Sequence, residues 1–382
     1  MSGAYRRILV VDLLGGLGDL LMLLPSVHAL ARNHPGAEVH LLTHRPGDSL
    51  VEADEAVTAV LVPERRGGGG EREAVQRSLA RVDPDLVVSS TRYDGIPDLI
   101  ERSGARAVTD LWRHPPPDER VGDRYLRILR DEGLIGTEDL DCPGHVRLTS
   151  TERLLGAELL GRVVPAHVRR APVVLVTGAG MAVKRWPGPS WDALTAALRA
   201  AGTPVLAVAD GGPVPRGASP LPRGDLRALA ATYAEVGRRG GVVVGGDTGP
   251  TRLAASLGVR VVGLFGPTST PRYGFGPGPG SPHEAGRRGV GPVGGGGAGT
   301  RATGASARPG RDGEDGRVLV SPSGSDLQGL PGCDHRKPTS ITEQGCWWSA
   351  ACPLSPRGPA CMAALDVSDV LLVVERATGA AG

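Results

Sequence analysis

Two glycine turns carry the residues best suited to chemistry. The first is Gly245-Gly246-Asp247-Thr248-Gly249-Pro250, directly after the apolar run Val242-Val243-Val244. A β-branched run of that kind reads as a strand buried on both faces. The glycines allow a sharp turn. Asp247 and Thr248 are helix-capping types, and Pro250 suits the first turn of a helix continued by 251–258. A helix that starts at the carboxyl end of a parallel strand presents backbone N–H groups and a positive dipole end. That is an anion site, and a nucleotide diphosphate is its usual occupant. The second turn, Gly15-Gly16-Leu17-Gly18-Asp19, follows the buried-strand pattern 7–13 and leads into an apolar helix through about residue 31. Asp19 at that helix start suits the dipole whatever else it does.

Cys333, Cys346, Cys352 and Cys361 form a third group near the C-terminus, while Cys142 stands apart. Four thiols could hold zinc or an iron–sulfur cluster. No Cys-x-x-Cys pair is present, so packing thiols in a small-residue core read equally well.

Strand and helix patterns must position these turns. In the first half, strands are expected at 38–42, 57–62, 86–89 and 106–108, with helices at 71–82, 96–102 and 118–132. The chain crosses over around 152–165. The pattern then restarts with a strand at 173–177, a helix at 190–200, a strand at 204–209 and a helix at 225–236, ahead of the 242–268 unit. A final helix is expected at 367–377. Such alternation implies doubly wound parallel sheets, and two of them make a cleft between them. The stretch 274–316 is nearly all Gly, Pro, Arg, Ser and Ala, and reads as a flexible low-complexity insertion.

Composition narrows the class. At 382 residues the chain is long enough for two domains. A formal net charge of +2 and 3% aromatics argue against nucleic acid as a partner. The N-terminus shows no signal-peptide pattern, and no stretch is apolar enough to span a membrane, so a cytoplasmic location is expected. Alanine and arginine are abundant and lysine is rare, as in proteins of high-GC bacteria.

Four motifs occur in order: 15–30 (GGLGDLLMLLPSVHAL), 176–194 (VTGAGMAVKRWPGPSWDAL), 243–274 (VVGGDTGPTRLAASLGVRVVGLFGPTSTPRYG) and 352–370 (CPLSPRGPACMAALDVSDV). Together they resemble glycosyltransferase family nine, typified by the ADP-heptose:lipopolysaccharide heptosyltransferases. The resemblance implies α/β class and a GT-B fold, two Rossmann-like domains facing across a cleft. Residues 1–165 would form the acceptor domain and 166–382 the nucleotide-sugar domain. It also implies an inverting transfer that needs no metal cofactor.

By the same resemblance, Asp19 is the catalytic base that takes the proton of the attacking hydroxyl. Lys184 contacts the donor phosphates and Arg185 shares that work. Thr248 and Gly249 form the diphosphate loop, while Asp247 caps the helix or orients the loop or the sugar. Gly15, Gly16 and Gly18 make the N-terminal glycine loop. Three departures stand out. Arg252 replaces a frequent histidine and could grip phosphate with two donors. Gly211-Gly212-Pro213 lacks the acidic residue that often follows it. The third is the insertion. His28 reads as a satisfied histidine, and Trp347-Trp348 and 112–117 read as acceptor-side surface or packing.

The partners expected are a nucleotide-sugar donor and a small-molecule or glycolipid acceptor. The composition favours secondary-metabolite (antibiotic) glycosylation, with lipopolysaccharide inner-core heptosyl transfer as the alternative. A non-catalytic nucleotide-sugar-binding protein is a rival, opposed by the presence of both Asp19 and Lys184. An epimerase of the same fold would need further cleft carboxylates and a histidine that the sequence does not offer. The cysteines, if they bind metal, would form a structural zinc or iron–sulfur site.

Overall fold

The computed structural model describes residues 5–209, 211–275, 318–320 (backbone) and 325–379. The low-complexity stretch, from 276 onward, lies outside the described residues.

The first half runs β1 (Arg7–Asp12), α1 (Leu17–Asn33), β2 (Glu38–Thr43), β3 (Ala59–Leu61), α2 (Gly70–Val82), β4 (Leu86–Ser89), α3 (Ile96–Glu101), β5 (Arg106–Val108), α4 (Val121–Asp131) and α5 (Ser150–Gly161). Its five strands form a parallel sheet ordered β3-β2-β1-β4-β5. Strand alternation sorts the core. Ile8 and Val10 pack with Leu20, Leu24 and Val27 of α1 and with Tyr125 of α4. Leu9 and Val11 point the other way, onto Val75, Ile96 and Ile100 of α2 and α3. Ile8, Leu9, Val10 and Val11 are all fully buried, which is why the strand reads as one apolar run.

The second half runs β6 (Val173–Val176), α6 (Gly188–Ala200), β7 (Val205–Ala207), β8 (Ser219–Pro220), α7 (Leu226–Arg238), β9 (Val242–Gly246), α8 (Gly249–Ser256), β10 (Arg260–Phe265), α9 (Thr270–Tyr273), β11 (Val318–Val320), β12 (Asp326–Gly329), α10 (Gly345–Ser349), α11 (Ala360–Ala363) and α12 (Val367–Thr378). The sheet order is β11-β12-β10-β9-β6-β7-β8. Among the described strands of this sheet, β11 at the edge is antiparallel to its neighbour and the others are parallel.

Strand β12 is not foreseen by the sequence reading, because Leu327 is its single aliphatic residue. Side-chain hydrogen bonds hold it instead. The Gln328 amide donates to the carbonyls of Phe265 (3.2 Å) and Gly266 (3.0 Å), and its oxygen accepts from the Thr270 N–H at 2.9 Å. The same glutamine therefore fixes the turn that follows β10. The crossover expected at 152–165 is mostly the helix α5. Its N-terminus is closed by a capping box in which Thr149 accepts from the Glu152 N–H and Glu152 accepts from the Thr149 N–H.

The halves meet where α1 packs on α8 and α5 packs on α7. A Cβ built on Gly249 would lie 2.8 Å from the Leu17 Cβ, so only glycine permits this approach. Arg227 of α7 ties the halves together chemically. Its Nε and Nη2 donate to the two Glu152 oxygens at 2.6 and 2.7 Å, and its other contacts reach the carbonyls of Leu50 (3.3 Å) and Arg147 (2.8 Å).

The Arg227 hydrogen bonds lower the Glu152 carboxyl to about 2, against the opposing effect of burial. A depressed carboxyl stabilises the fold above its ordinary range, and the gain is lost as pH falls towards the folded value. Arg227→Ala is therefore expected to lower stability by about 1–3 kcal/mol at neutral pH. Urea unfolding at several pH values checks this: the gap from wild type should shrink as pH drops below about 4.5. A gap that is absent, or constant with pH, contradicts the account.

Candidate active site

The Asp247 carboxylate sits at the centre of the site. It follows the carboxyl end of β9, is 7% exposed, and lies between two cations. The Lys184 Nζ donates to Asp247 Oδ2 at 3.0 Å and to the Asp247 carbonyl at 3.1 Å. Arg252, on α8, donates from Nε (3.1 Å) and Nη2 (2.6 Å) to Asp247 Oδ1. Its Nη2 also reaches the Tyr273 carbonyl at 2.6 Å. Burial alone would push the Asp247 carboxyl up. Lys184 and Arg252 outweigh that and hold it at about 2.

This pairing corrects one expectation. Asp247 does not cap α8: the N-cap is Thr248, which makes no side-chain cap, and the Asp247 carboxylate turns to the cations. The Thr248 hydroxyl lies 2.9 Å from the Thr251 hydroxyl, with the α8 N-terminus open beside it.

Asp19 faces this cluster from the other half. Gly15 has φ +96°, a left-handed turn that lets β1 enter α1 sharply. Asp19 follows in the first turn, half-buried, and its Oδ2 accepts the Gly16 N–H at 3.1 Å. Burial raises its carboxyl, and the Asp247 charge raises it further. The Gly16 N–H, Arg252 and Lys184 oppose the rise. Asp12, at the end of β1, was not picked out from the sequence. It is buried, accepts the Ser90 hydroxyl at 2.7 Å, and is raised to about 7 by burial and by Asp19. The available signal was an aspartate closing an otherwise apolar strand.

One cleft of about 750 Å³ joins these groups. Its lining takes Gly16, Gly18, Asp19 and Trp112 from the first half and Lys184, Arg185, Asp247, Thr248, Gly249 and Arg252 from the second. Every residue assigned to catalysis or donor binding from the sequence thus borders it, and Gly15 borders a small adjoining cavity with Asp12 and Gly16.

Residues 221–283 match the family model described as Glycosyltransferase family 9 (heptosyltransferase), which spans α7, β9, α8, β10 and α9. That match marks one segment of the chain as similar to the family. No curated protein matches the chain. Among solved structures, a family 9 glycosyl transferase from Veillonella parvula is similar at 19% identity and TM-score 0.58, covering 72% of this chain and 85% of that one. The E. coli heptosyltransferase WaaC with ADP aligns at 18% identity and TM-score 0.51, over 70% and 90% of the two chains. The iron-containing dodecameric glycosyltransferase TibC of enterotoxigenic E. coli aligns at 12% identity and TM-score 0.53, over 99% and 77%. The fold is GT-B. Family segment and fold together support a heptosyltransferase-like glycosyltransferase.

The remaining expected residues fall as follows. Arg185 borders the cleft, but its Nε and Nη2 donate to the Ala179 carbonyl at 3.2 and 3.1 Å, which holds the turn at the end of β6. His28 is satisfied by Asp54 at 2.7 Å, away from the cleft lining. Cys142 is buried, and burial pushes its thiol up. Trp348 is 71% exposed, whereas Trp347 is buried against the cleft.

The four C-terminal thiols do converge. Cys333, Cys346, Cys352 and Cys361 line one small cavity with His335 and Arg336. None is in a disulfide, and burial pushes the Cys361 thiol up to about 11. Among the described residues, no group of three or more His, Cys, Asp or Glu is arranged to hold a metal ion. No helix among them is long and apolar enough to cross a membrane.

The electrostatics predict a shift that can be measured without substrate. Asp247→Asn removes a like charge from beside Asp19 and releases two cations towards it, so the Asp19 carboxyl should fall towards its ordinary range. Carbon-13 NMR titration of the aspartate carboxyls checks it. An unmoved or raised Asp19 means the two carboxylates do not sense each other.

Proposed function

We propose that the chain transfers a sugar from a nucleotide-diphosphate donor to an acceptor hydroxyl with inversion and without a catalytic metal. One observation carries this reading: a paired cation site at a strand–helix turn faces a raised carboxyl across a single cleft. Residues 1–165 take the acceptor and 166–382 the donor.

The donor diphosphate lies over the α8 N-terminus, where Thr248, Gly249 and the helix dipole meet it. Lys184 and Arg252 are the cations that receive charge as the sugar–phosphate bond breaks. Asp247 keeps both cations in place. The acceptor oxygen attacks the anomeric carbon from the side opposite the leaving diphosphate, and its proton passes to an Asp19 oxygen. A carboxyl raised above its usual range is a stronger base for that task once ionised.

The acceptor side of the cleft presents Met22, Arg92 and Trp112, with the Arg92 guanidinium 5.5 Å from the Trp112 ring centre. That partly apolar wall favours a small-molecule acceptor of the secondary-metabolite kind over the lipopolysaccharide core. Assays with both acceptor classes separate them.

We also propose the four C-terminal thiols as a structural metal site with no part in transfer. Their number, their chemistry and their shared cavity support it, and the sulfurs must draw inward to close around an ion. Protein purified without oxygen should then carry more than about half an equivalent of zinc or iron. A lower content, with four titratable thiols, leaves them as packing residues.

For the transfer itself, Asp19→Asn is expected to lower turnover by about 10²–10⁴-fold while the affinity for nucleoside diphosphate stays within about twofold. Lys184→Ala should do the reverse to affinity, weakening it about tenfold or more. Near-normal turnover in the first, or unchanged calorimetric affinity in the second, removes that residue from its role.

A further inference from the structure

The C-terminal tail contributes a side chain to the donor site that none of the assignments above uses. Trp347 lies on the five-residue helix α10, and the Lys184 Nζ stands 5.1 Å from its ring centre. We propose that Trp347 is the positioning residue for the Lys184 ammonium, and that the thiol cavity anchors the helix that presents it. This inference rests on the reading of Lys184 as a phosphate contact.

The geometry is two-sided. Cys346 precedes Trp347 and lines the thiol cavity, while Trp347 borders the donor cleft. Val183 precedes Lys184 and lines that same cavity, while Lys184 borders that same cleft. Two adjacent pairs, one on α10 and one on the short turn Ala182–Lys184, thus share a wall. Val183 is buried and Cys346 half-buried, and the two border the same cavity where α10 packs on the 182–184 turn. Trp347 and Lys184 meet on the opposite side. The tail segment 339–342 borders the cleft as well, so this wall of the donor site is built from the tail.

The physical need is plain. A lysine side chain has about 2 kcal/mol of rotamer entropy and does not hold a position unaided. Asp247 restrains it, but a carboxylate also neutralises it and repels a phosphate. An indole face attracts an ammonium through its quadrupole and leaves the full positive charge available. Trp347 therefore keeps Lys184 in place without competing for its charge. The chain has only two lysines, Lys184 and Lys337, in a sequence that otherwise uses arginine.

The lysine count also makes the test direct. Protein labelled with carbon-13 at the lysine ε position gives two signals, and the ring current should move that of Lys184 upfield. Trp347→Leu should abolish the displacement and weaken binding of nucleoside diphosphate about tenfold, whereas Trp347→Phe keeps both within about threefold. ADP, UDP and GDP are the calorimetric probes, using whichever binds the unaltered protein best, with Lys184→Ala in parallel. An undisplaced Lys184 signal in the unaltered protein overturns the proposal and needs no variant to fold. So does equal binding by the Leu and Phe variants, whether both are intact or both impaired, because a packing role alone would not distinguish them. If Lys184→Ala binds as tightly as wild type, the phosphate reading falls too. If that variant is weakened and Trp347→Leu is not, only the present inference fails.

Discussion

The buried Asp247 carboxylate between Lys184 and Arg252 is the constraint on which the site depends. A lone carboxylate at 7% exposure would be costly. Flanked by two cations it is stable and held at about 2. The pairing has a functional remainder, since one negative charge between two positive ones leaves one positive charge over. That surplus, added to the open amides of α8, is what an incoming diphosphate meets. Two separate stretches must converge to build it: the β9–α8 turn, which carries Asp247 and Arg252, and the turn that carries Lys184. The parallel sheet brings them together because β6 and β9 are neighbours, so their carboxyl-end turns lie side by side.

The second half of the chemistry depends on the distance between the two sheets. Asp19 is raised partly because Asp247 stands across the cleft, so its proton affinity reports how closely the halves approach. Small residues set that approach at α1 and α8, and the Arg227–Glu152 pair fastens it from the other end. The base and the anion site are thus one electrostatic unit built from both halves. Binding an anionic donor would favour the protonated form of Asp19, and the local cations counter this.

Much of this was legible in the sequence because local signals and tertiary role agreed. Val242–Val244 is buried on both faces, as its composition demands, and the glycines after it turn as expected. Most of the strands and helices read from periodicity are present, with shifts of a few residues at their ends. The misses have physical reasons. Strand β12 is held by Gln328 rather than by apolar burial, so hydrophobic patterning could not reveal it. Asp247 reads from its place in the turn as a cap or as a residue that orients the loop or the sugar, and only the fold shows its carboxylate paired with two cations. Asp12 gave no motif and matters through burial, while Trp347 read only as acceptor-side surface or packing because its contact with Lys184 lies far away in the chain. The four cysteines share one cavity, which the metal reading required and the packing reading did not, and no metal-holding group forms among the described residues.

The central claim is that the surplus charge around Asp247 receives the donor diphosphate opposite Asp19. A crystal structure with the tightest-binding nucleoside diphosphate tests it most directly. The account predicts phosphate oxygens within hydrogen-bond reach of Lys184, Thr248 and the first N–H groups of α8, with Asp19 facing the terminal phosphate across open space. A diphosphate bound elsewhere, with the Lys184–Asp247–Arg252 cluster untouched, would contradict it.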